Sequence, residues 1–280
     1  MACLVVGVAG CVLISVLSLL VHDAGRGASQ LVRARIEWPE LEPLTVSDLP
    51  FQPGERLHYR LGWNGIPCAD LSISLNCPGG LRRGVWRIEY EGSTTAGLDR
   101  FWSYRMKGWS LVDRCSLRTL RGRRESREEG ETKRYRVSFQ RATGIATTVT
   151  EELPDGDRGV ERLRFVHGLD LPSAFFLIRT LDLEAGEKEF LEVVHEDQVY
   201  ALEVLAGAEE PVESAIGDIS ARRVEIRVHA LAGDEEEREE EESKYRSLTL
   251  WLSDERRLPV KMESQMRVGR VYGQLVEVGR

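Results

Sequence analysis

Residues 69–76 read ADLSISLN, a run in which apolar and polar side chains alternate strictly. Leu71, Ile73 and Leu75 share one parity, and polar residues occupy the other. A period of two places successive side chains on opposite faces of a β-strand. One face is then buried while the other meets water, which is typical of an antiparallel sheet.

The same alternation recurs along the chain, from about residue 51 to the C-terminus. It is found at residues 86–90, 135–139, 223–228 and 248–252. Turn-forming Gly, Pro and Asp residues separate these runs at spacings typical of an all-β domain. The pattern predicts roughly ten to twelve strands.

One segment changes to helical spacing. Asp170 is suited to cap a helix N-terminus, and Pro172 fits the first turn, where a missing N–H is tolerated. Apolar residues then recur every three or four positions until Gly186 ends the run. Arg179 falls among these apolar residues, so its side chain either extends to solvent or pairs with a carboxylate. We expect one short helix that packs on the sheet, with gating of a ligand as the alternative role.

These patterns predict a mainly β protein. Its core is one large antiparallel curved sheet, or an open barrel or β-roll, with a single short helix packed against it. An N-terminal transmembrane helix precedes this domain. The predicted divisions are an anchor or signal segment at 1–27, a Pro-containing linker at 28–50 and a β-rich domain at 51–280.

The N-terminus predicts attachment to a membrane. Residues 2–21 contain no charged side chain, and about twenty apolar residues suffice to span a bilayer. We favour an uncleaved anchor over a cleaved signal, because the sites for cleavage are poor. Arg26, Arg33 and Arg35 follow the apolar run, and taken alone they place the main domain in the cytosol.

The charge of the chain excludes one class of partner. The formal net charge of −8 argues against binding to nucleic acid, which usually needs a basic surface. Much of this charge lies in residues 234–242, DEEEREEEE, which we interpret as a solvated loop, with a calcium site as a weaker alternative. Residues 118–127 contain five arginines and are interpreted as a charged strand edge, with anionic lipid as the alternative partner.

The domain contains three cysteines, Cys68, Cys77 and Cys115. Cys68 and Cys77 flank a predicted strand, which separates them by about 30 Å and rules out a bond between them. Any disulfide within the domain therefore joins Cys115 to Cys68 or to Cys77. Three free thiols would instead fit a cytosolic location. The cysteine and histidine spacings indicate no metal site, and no cofactor is expected.

No motif of a known catalytic class is present. His167 precedes the predicted helix and has Asp170 nearby, so it is the histidine to test for catalysis. Tryptophans could line a concave apolar surface of the curved sheet, although core packing is their more common role. The candidate ligand-binding residues are Trp63, Trp102, Trp251, Arg179 and His167.

Three ordered motifs resemble a known family. Residues 51–59, FQPGERLHY, precede LGWNGI at 61–66; residues 170–179 are followed by Gly186; and residues 250–261 read LWLSDERRLPVK. Together they resemble the bacterial exported family called domain of unknown function 3108. The resemblance implies a mostly β protein of the cell envelope with no established chemistry, and it supplies no catalytic residues.

Three functions remain open from the sequence. The first is a non-enzymatic envelope protein, anchored in the inner membrane or exported, whose periplasmic domain binds an apolar or amphipathic ligand, such as lipid, or a partner protein. The second is a hydrolase of unrecognised type, which requires His167 or another titratable group in a pocket beside a carboxylate or hydroxyl. The third is a purely structural scaffold, which predicts a filled core.

Overall fold

The computed structural model describes residue 36 and residues 38–79, 84–231, 247–266 and 269–279. The predicted anchor at 1–27 and the acidic run at 234–242 lie outside these residues. Nowhere in the described ranges is a helix both long enough and apolar enough to cross a membrane.

The described residues form fourteen strands, one α-helix and one 3-10 turn. The strands are β1 (Arg56–Trp63), β2 (Ile66–Asn76), β3 (Val85–Thr94), β4 (Tyr104–Asp113), β5 (Thr119–Glu128), β6 (Glu131–Gln140), β7 (Ile145–Leu153), β8 (Asp157–Arg164), β9 (Lys188–His195), β10 (Gln198–Ser214), β11 (Gly217–Ala230), β12 (Ser247–Ser253), β13 (Pro259–Gln265) and β14 (Arg270–Gly279). The helix is α1 (Leu171–Ile178), and the 3-10 turn is Val46–Asp48. The count exceeds the predicted one because strands such as β8 carry no apolar alternation.

All fourteen strands belong to one antiparallel sheet. Its order is β8-β7-β6-β5-β4-β3-β2-β1-β14-β13-β12-β11-β10-β9. Consecutive strands are therefore neighbours, except that β8 and β9 form the two edges of the sheet. The pairing of β1 with β14 joins the two halves. The prediction of one large antiparallel sheet with a single short helix is confirmed.

The sheet curls until its two ends approach each other. Tyr135 and Val137 on β6 share a buried cluster with Val194 on β9 and Ala201 on β10. Leu169, which follows β8, forms a parallel bridge to Val193 on β9. The predicted curvature of the sheet is therefore confirmed, and the core lies on its concave side.

Alternation decides which side chains enter this core. On β1, Leu57, Tyr59 and Leu61 are buried, whereas Arg56 and Arg60 are exposed. The inward residues of the two halves meet in one large apolar cluster. A pleated strand achieves this arrangement because only every second side chain faces the interior.

Helix α1 closes one end of the interior. The Asp170 side chain accepts a hydrogen bond from the Ser173 N–H, and the Ser173 hydroxyl completes a capping box, so the predicted N-cap is confirmed. All eight helical residues are buried. The helix ends at Ile178, earlier than the predicted stop at Gly186, and Arg179 occupies its C-cap.

The described part of the predicted linker lies against the domain. Residues 38–50 contain no regular element except the 3-10 turn, as their prolines suggest. Leu41, Leu44 and Leu49 nevertheless pack against the main core, and the Leu44 N–H donates to the Cys115 carbonyl. This segment therefore covers the end of the sheet at which α1 lies.

Strand β8 forms an open edge that its charges protect. Nearly all of its side chains are exposed, and Arg158, Glu161 and Arg162 line it. A second β8 paired antiparallel about Val160 would place Arg158 opposite Arg162. Like charges at facing positions destabilise strand pairs, so the edge resists self-association.

We predict that replacing Arg158 and Arg162 together by threonine increases self-association. Sedimentation velocity over a range of protein concentrations measures the change. The control is Arg121→Thr/Arg136→Thr on β5 and β6, which are paired on both sides. Equal sedimentation of the two variants would show that charge does not protect this edge.

Candidate functional site

Arg179 forms a buried ion pair with Glu55. The two side chains are 0% and 3% exposed. Nη1 of Arg179 donates to Oε1 of Glu55 at 2.6 Å, and Nη2 donates to Oε2 at 3.3 Å. Of the two alternatives left open by the sequence, pairing with a carboxylate is therefore the one observed.

The turn between β12 and β13 completes this cluster. The Arg179 guanidinium also donates to the carbonyl oxygens of Arg257 at 3.0 Å and Arg256 at 3.2 Å. The Arg256 side chain in turn donates to Glu55 at 3.0 Å. The buried cation is thus surrounded by acceptors, which is the condition for keeping a charge inside a protein.

The three family-like motifs meet at this cluster. Glu55 comes from residues 51–59, Arg179 follows α1, and the accepting carbonyls come from residues 250–261. Rings of Phe51 and Phe176 lie 4.8 and 5.3 Å from the guanidinium carbon, within cation–π range. The motif residues therefore join the helix to the sheet, and they leave Arg179 no free donor face for a ligand.

His167 is buried and fully hydrogen-bonded. The Glu192 backbone N–H donates to Nδ1 at 3.0 Å, so Nε2 carries the proton and donates to the Pro39 carbonyl at 2.9 Å. Burial lowers the pKa of His167 below its usual range, and the ring is neutral. With both nitrogens engaged, the ring lacks the free nitrogen that a general base needs.

Trp63 and Trp102 come together at the end of the sheet opposite α1. Both pack in a small cluster with Cys68 and Leu98. The Trp102 indole N–H donates to Glu128 at 2.9 Å, so its polar edge is satisfied. These two of the five candidate residues thus form one apolar base.

Two exposed apolar residues lie at this base. Ile66 pairs with Trp63 across the β1–β2 hairpin and is 60% exposed. Phe101 precedes Trp102 in the loop between β3 and β4 and is 82% exposed. We call Ile66, Phe101, Trp63, Trp102 and Leu98 the apolar tip. Large exposed apolar side chains that lie close together mark interaction sites more often than single exposed apolar side chains do.

Trp251 lies elsewhere, on the outer face of β12. Its indole N–H donates to Glu210, and the Lys261 ammonium lies 4.7 Å from its ring centroid. The end of β10 covers it and leaves it 8% exposed. The structure therefore does not unite Trp251, Arg179 and His167 with the tip, and no single concave surface contains all five candidates.

Sequence reasoning did not find a charged groove on the outer face of the sheet. Two connected cavities of about 640 and 500 Å³ run across β1 to β5 and share Ser72, Glu91, Lys107 and Glu125. Hydrogen bonding from Arg134 is the main reason that the pKa of Glu125 lies below its usual value. The residues of this groove become neighbours only through the register in which the strands pair. The sequence pattern of each strand does not reveal that register.

The cysteines are not paired. Cys68, Cys77 and Cys115 are free thiols, which is the alternative to a disulfide from Cys115 that the sequence left open. Cys68 is buried near the tip, whereas Cys115 lies in the turn between β4 and β5 at the opposite end of the sheet. Burial raises the pKa of the Cys68 thiol, which keeps it protonated.

Within the described part of the chain, no group of side chains is arranged to bind a metal ion. No three His, Cys, Asp or Glu side chains converge there as a metal site would require. The buried Asp170 carboxylate, which caps α1, accepts hydrogen bonds from the Ser110 and Thr119 hydroxyls and from the Ser173 N–H. Its pKa is raised by burial, an effect that these hydrogen bonds oppose.

The profile of a family described as "protein of unknown function (DUF3108)" matches residues 58–276. The chain belongs to this family. The match runs from within β1 to within β14 and confirms the resemblance to this family. Among curated proteins, none matches the chain.

Solved structures similar to this DUF3108 chain show the fold alone. A β-barrel-like DUF1849 protein from Brucella abortus superposes with a TM-score of 0.52 at 12% identity, covering 81% of this chain and 97% of that one. A Bacteroides fragilis protein described as exported and YmcC-like in fold has a TM-score of 0.33 at 10% identity, covering 83% and 98% of the two chains. The first comparison supports the curled sheet, and the second is too distant to support an argument.

We predict that His167 makes stability depend on pH. The unfolded chain takes up a proton near pH 6.5, but the folded chain resists it because burial lowers the pKa. Stability should therefore fall as the pH drops below about 6.5, by up to about 1.4 kcal/mol per pH unit.

Urea unfolding at pH 7.5 and pH 5.5 measures this effect. His167→Gln, which cannot be protonated, should lose less stability than the wild-type protein over the same interval. Identical pH dependence in both proteins would contradict a depressed pKa at His167.

Proposed function

We propose that this DUF3108 protein is a non-enzymatic protein of the cell envelope. Its N-terminal apolar segment holds it at the inner membrane, and its domain faces the periplasm. The apolar tip binds an amphipathic surface, namely the interfacial region of a lipid bilayer. The exposure of Phe101 and Ile66 above two tryptophans is the observation that carries this proposal.

The chemistry of the tip supports a lipid interface. Trp side chains have an apolar body and one polar group, and such residues favour the boundary between headgroups and acyl chains. Phe101 and Ile66 add apolar area that would leave water on contact. Arg100 adjoins Phe101 in an exposed turn and can meet lipid phosphate.

The envelope location is supported by the sequence. Residues 2–21 are long enough to span a bilayer, and the family resemblance implies export. The arginines that follow the span favour the opposite orientation, so the proposal rests on the resemblance at this point.

The interior offers less support for an apolar ligand. All of α1 is buried, and Phe176 packs edge-on against Phe51 at 5.0 Å between ring centroids. The buried pair of Arg179 and Glu55 lies beside these rings. An apolar guest there would have to displace a packed helix, so we assign binding to the outside of the sheet.

Quenching by brominated lipids tests the proposal. We expect the full-length protein, reconstituted in bilayers of phosphatidylethanolamine and phosphatidylglycerol, to show quenching of tip tryptophans. Ile66→Ser/Phe101→Ser should reduce this quenching at least twofold, because the tip loses the apolar contact that holds it at the interface.

The control is Val160→Ser/Val166→Ser, which alters two exposed apolar residues outside the tip. Circular dichroism checks that each variant is folded. Equal quenching in the tip variant, the control and the wild-type protein would reject lipid contact by the tip and would favour a protein partner for this surface.

A further inference from the structure

Trp109 stands at the centre of a cationic cluster on the outer face of the sheet. It is half-buried on β4 and lies directly opposite Arg123 on β5. The guanidinium carbon of Arg87 lies 5.1 Å from its ring centroid. Lys107, two residues away on the same strand, shares the same face. Glu89 on β3 lies opposite Trp109 on the other side and pairs with Arg87, so three cations and one carboxylate surround this half-buried ring.

This cluster lines the smaller cavity of the charged groove. The cavity of about 500 Å³ is within the range of small-molecule sites, and Arg56 closes its far side on β1. It opens into the larger cavity of about 640 Å³ through Lys107 and Glu91. The groove therefore has room for a ligand that extends beyond one ring.

The charge balance of the groove favours an anion. Seven cationic and five anionic side chains line the two cavities, in a chain whose net charge is −8. Three of the anions have arginine partners within the sheet: Asp70 pairs with Arg60 at 3.3 Å, Glu89 pairs with Arg87 at 3.0 Å, and Glu125 pairs with Arg134 at 3.0 Å.

Two cations lack such a partner. Arg56 and Lys107 are exposed and make no salt bridge within 4.0 Å to any residue of the described ranges. Arg123 lies 3.9 Å from Glu125, at the limit of pairing. Lys107 lies opposite Glu91 on β3 and Glu125 on β5 but forms no ion pair with either within 4.0 Å, so its charge can still pair with a ligand.

We infer that the Trp109 cluster binds an anionic saccharide. The indole ring offers a flat surface for the C–H face of a sugar, and Arg123 and Lys107 can pair with a carboxylate or phosphate on that sugar. An arginine can donate two parallel hydrogen bonds to such a group, which adds orientation to charge attraction. This site is separate from the apolar tip and does not depend on the function proposed for it.

Calorimetric titration of the full-length protein in detergent micelles tests the inference. The probes are an oligogalacturonate, a phosphorylated sugar and a neutral malto-oligosaccharide of matched length. We expect both anionic probes to bind and to change tryptophan fluorescence, and the neutral probe not to bind. Raising the salt concentration should weaken binding, since these charges are solvent-exposed.

Variants separate this site from general charge attraction. Lys107→Gln/Arg123→Gln and Trp109→Leu should each weaken binding of the anionic probes at least tenfold. Arg158→Gln/Arg162→Gln removes the same charge from β8 and should leave binding within twofold. Ile66→Ser/Phe101→Ser should also leave it unchanged, which distinguishes this site from the tip.

Four outcomes would overturn the inference. These are equal binding of the neutral probe, equal loss of binding in the β8 variant, equally tight binding of polyglutamate, and absence of binding at millimolar probe. Polyglutamate binding would reassign the groove to acidic peptides. Thermal unfolding of each variant confirms that a loss of binding does not reflect a loss of fold.

Discussion

The buried ion pair between Arg179 and Glu55 is the constraint on which the arrangement of this domain depends. Removing two charges from water is costly, and only close pairing with further hydrogen bonds offsets that cost. Here the carboxylate, two backbone carbonyls and two aromatic rings surround the guanidinium. The pair therefore holds three distant parts of the chain together: the segment before β1, the end of α1 and the turn after β12.

This constraint has a consequence for function. Because α1 is held inside one end of the curled sheet, that end of the interior is filled with packed side chains. A ligand would therefore bind on the outside of the sheet. The apolar tip and the charged groove lie there, and each combines aromatic rings with arginine or lysine. His167, which the sequence put forward for catalysis, instead supports the fold through Glu192 and Pro39.

Much of the fold could be predicted because it depends on local patterns. Alternation located strands such as β2, and Asp170 with Pro172 located the start of α1. The end of α1 could not be predicted, because Arg179 leaves the helix to meet Glu55, which is 124 positions away in sequence. Trp63 and Trp102 were expected in a site, but only the topology places both at one end of the sheet. The groove beside Trp109 was missed because it depends on register across five strands.

A double-mutant cycle on Glu55 and Arg179 tests the central claim most directly. The free energies of unfolding are measured by denaturant titration for Glu55→Gln, Arg179→Met and the double variant. Each single change should cost about 3–5 kcal/mol, since it removes the fully buried partner of a buried charge. The double variant should cost clearly less than the sum of the two, by more than about 1 kcal/mol. Additive losses, or single losses below about 1 kcal/mol, would contradict the account, because the pair would then not hold the helix in the sheet.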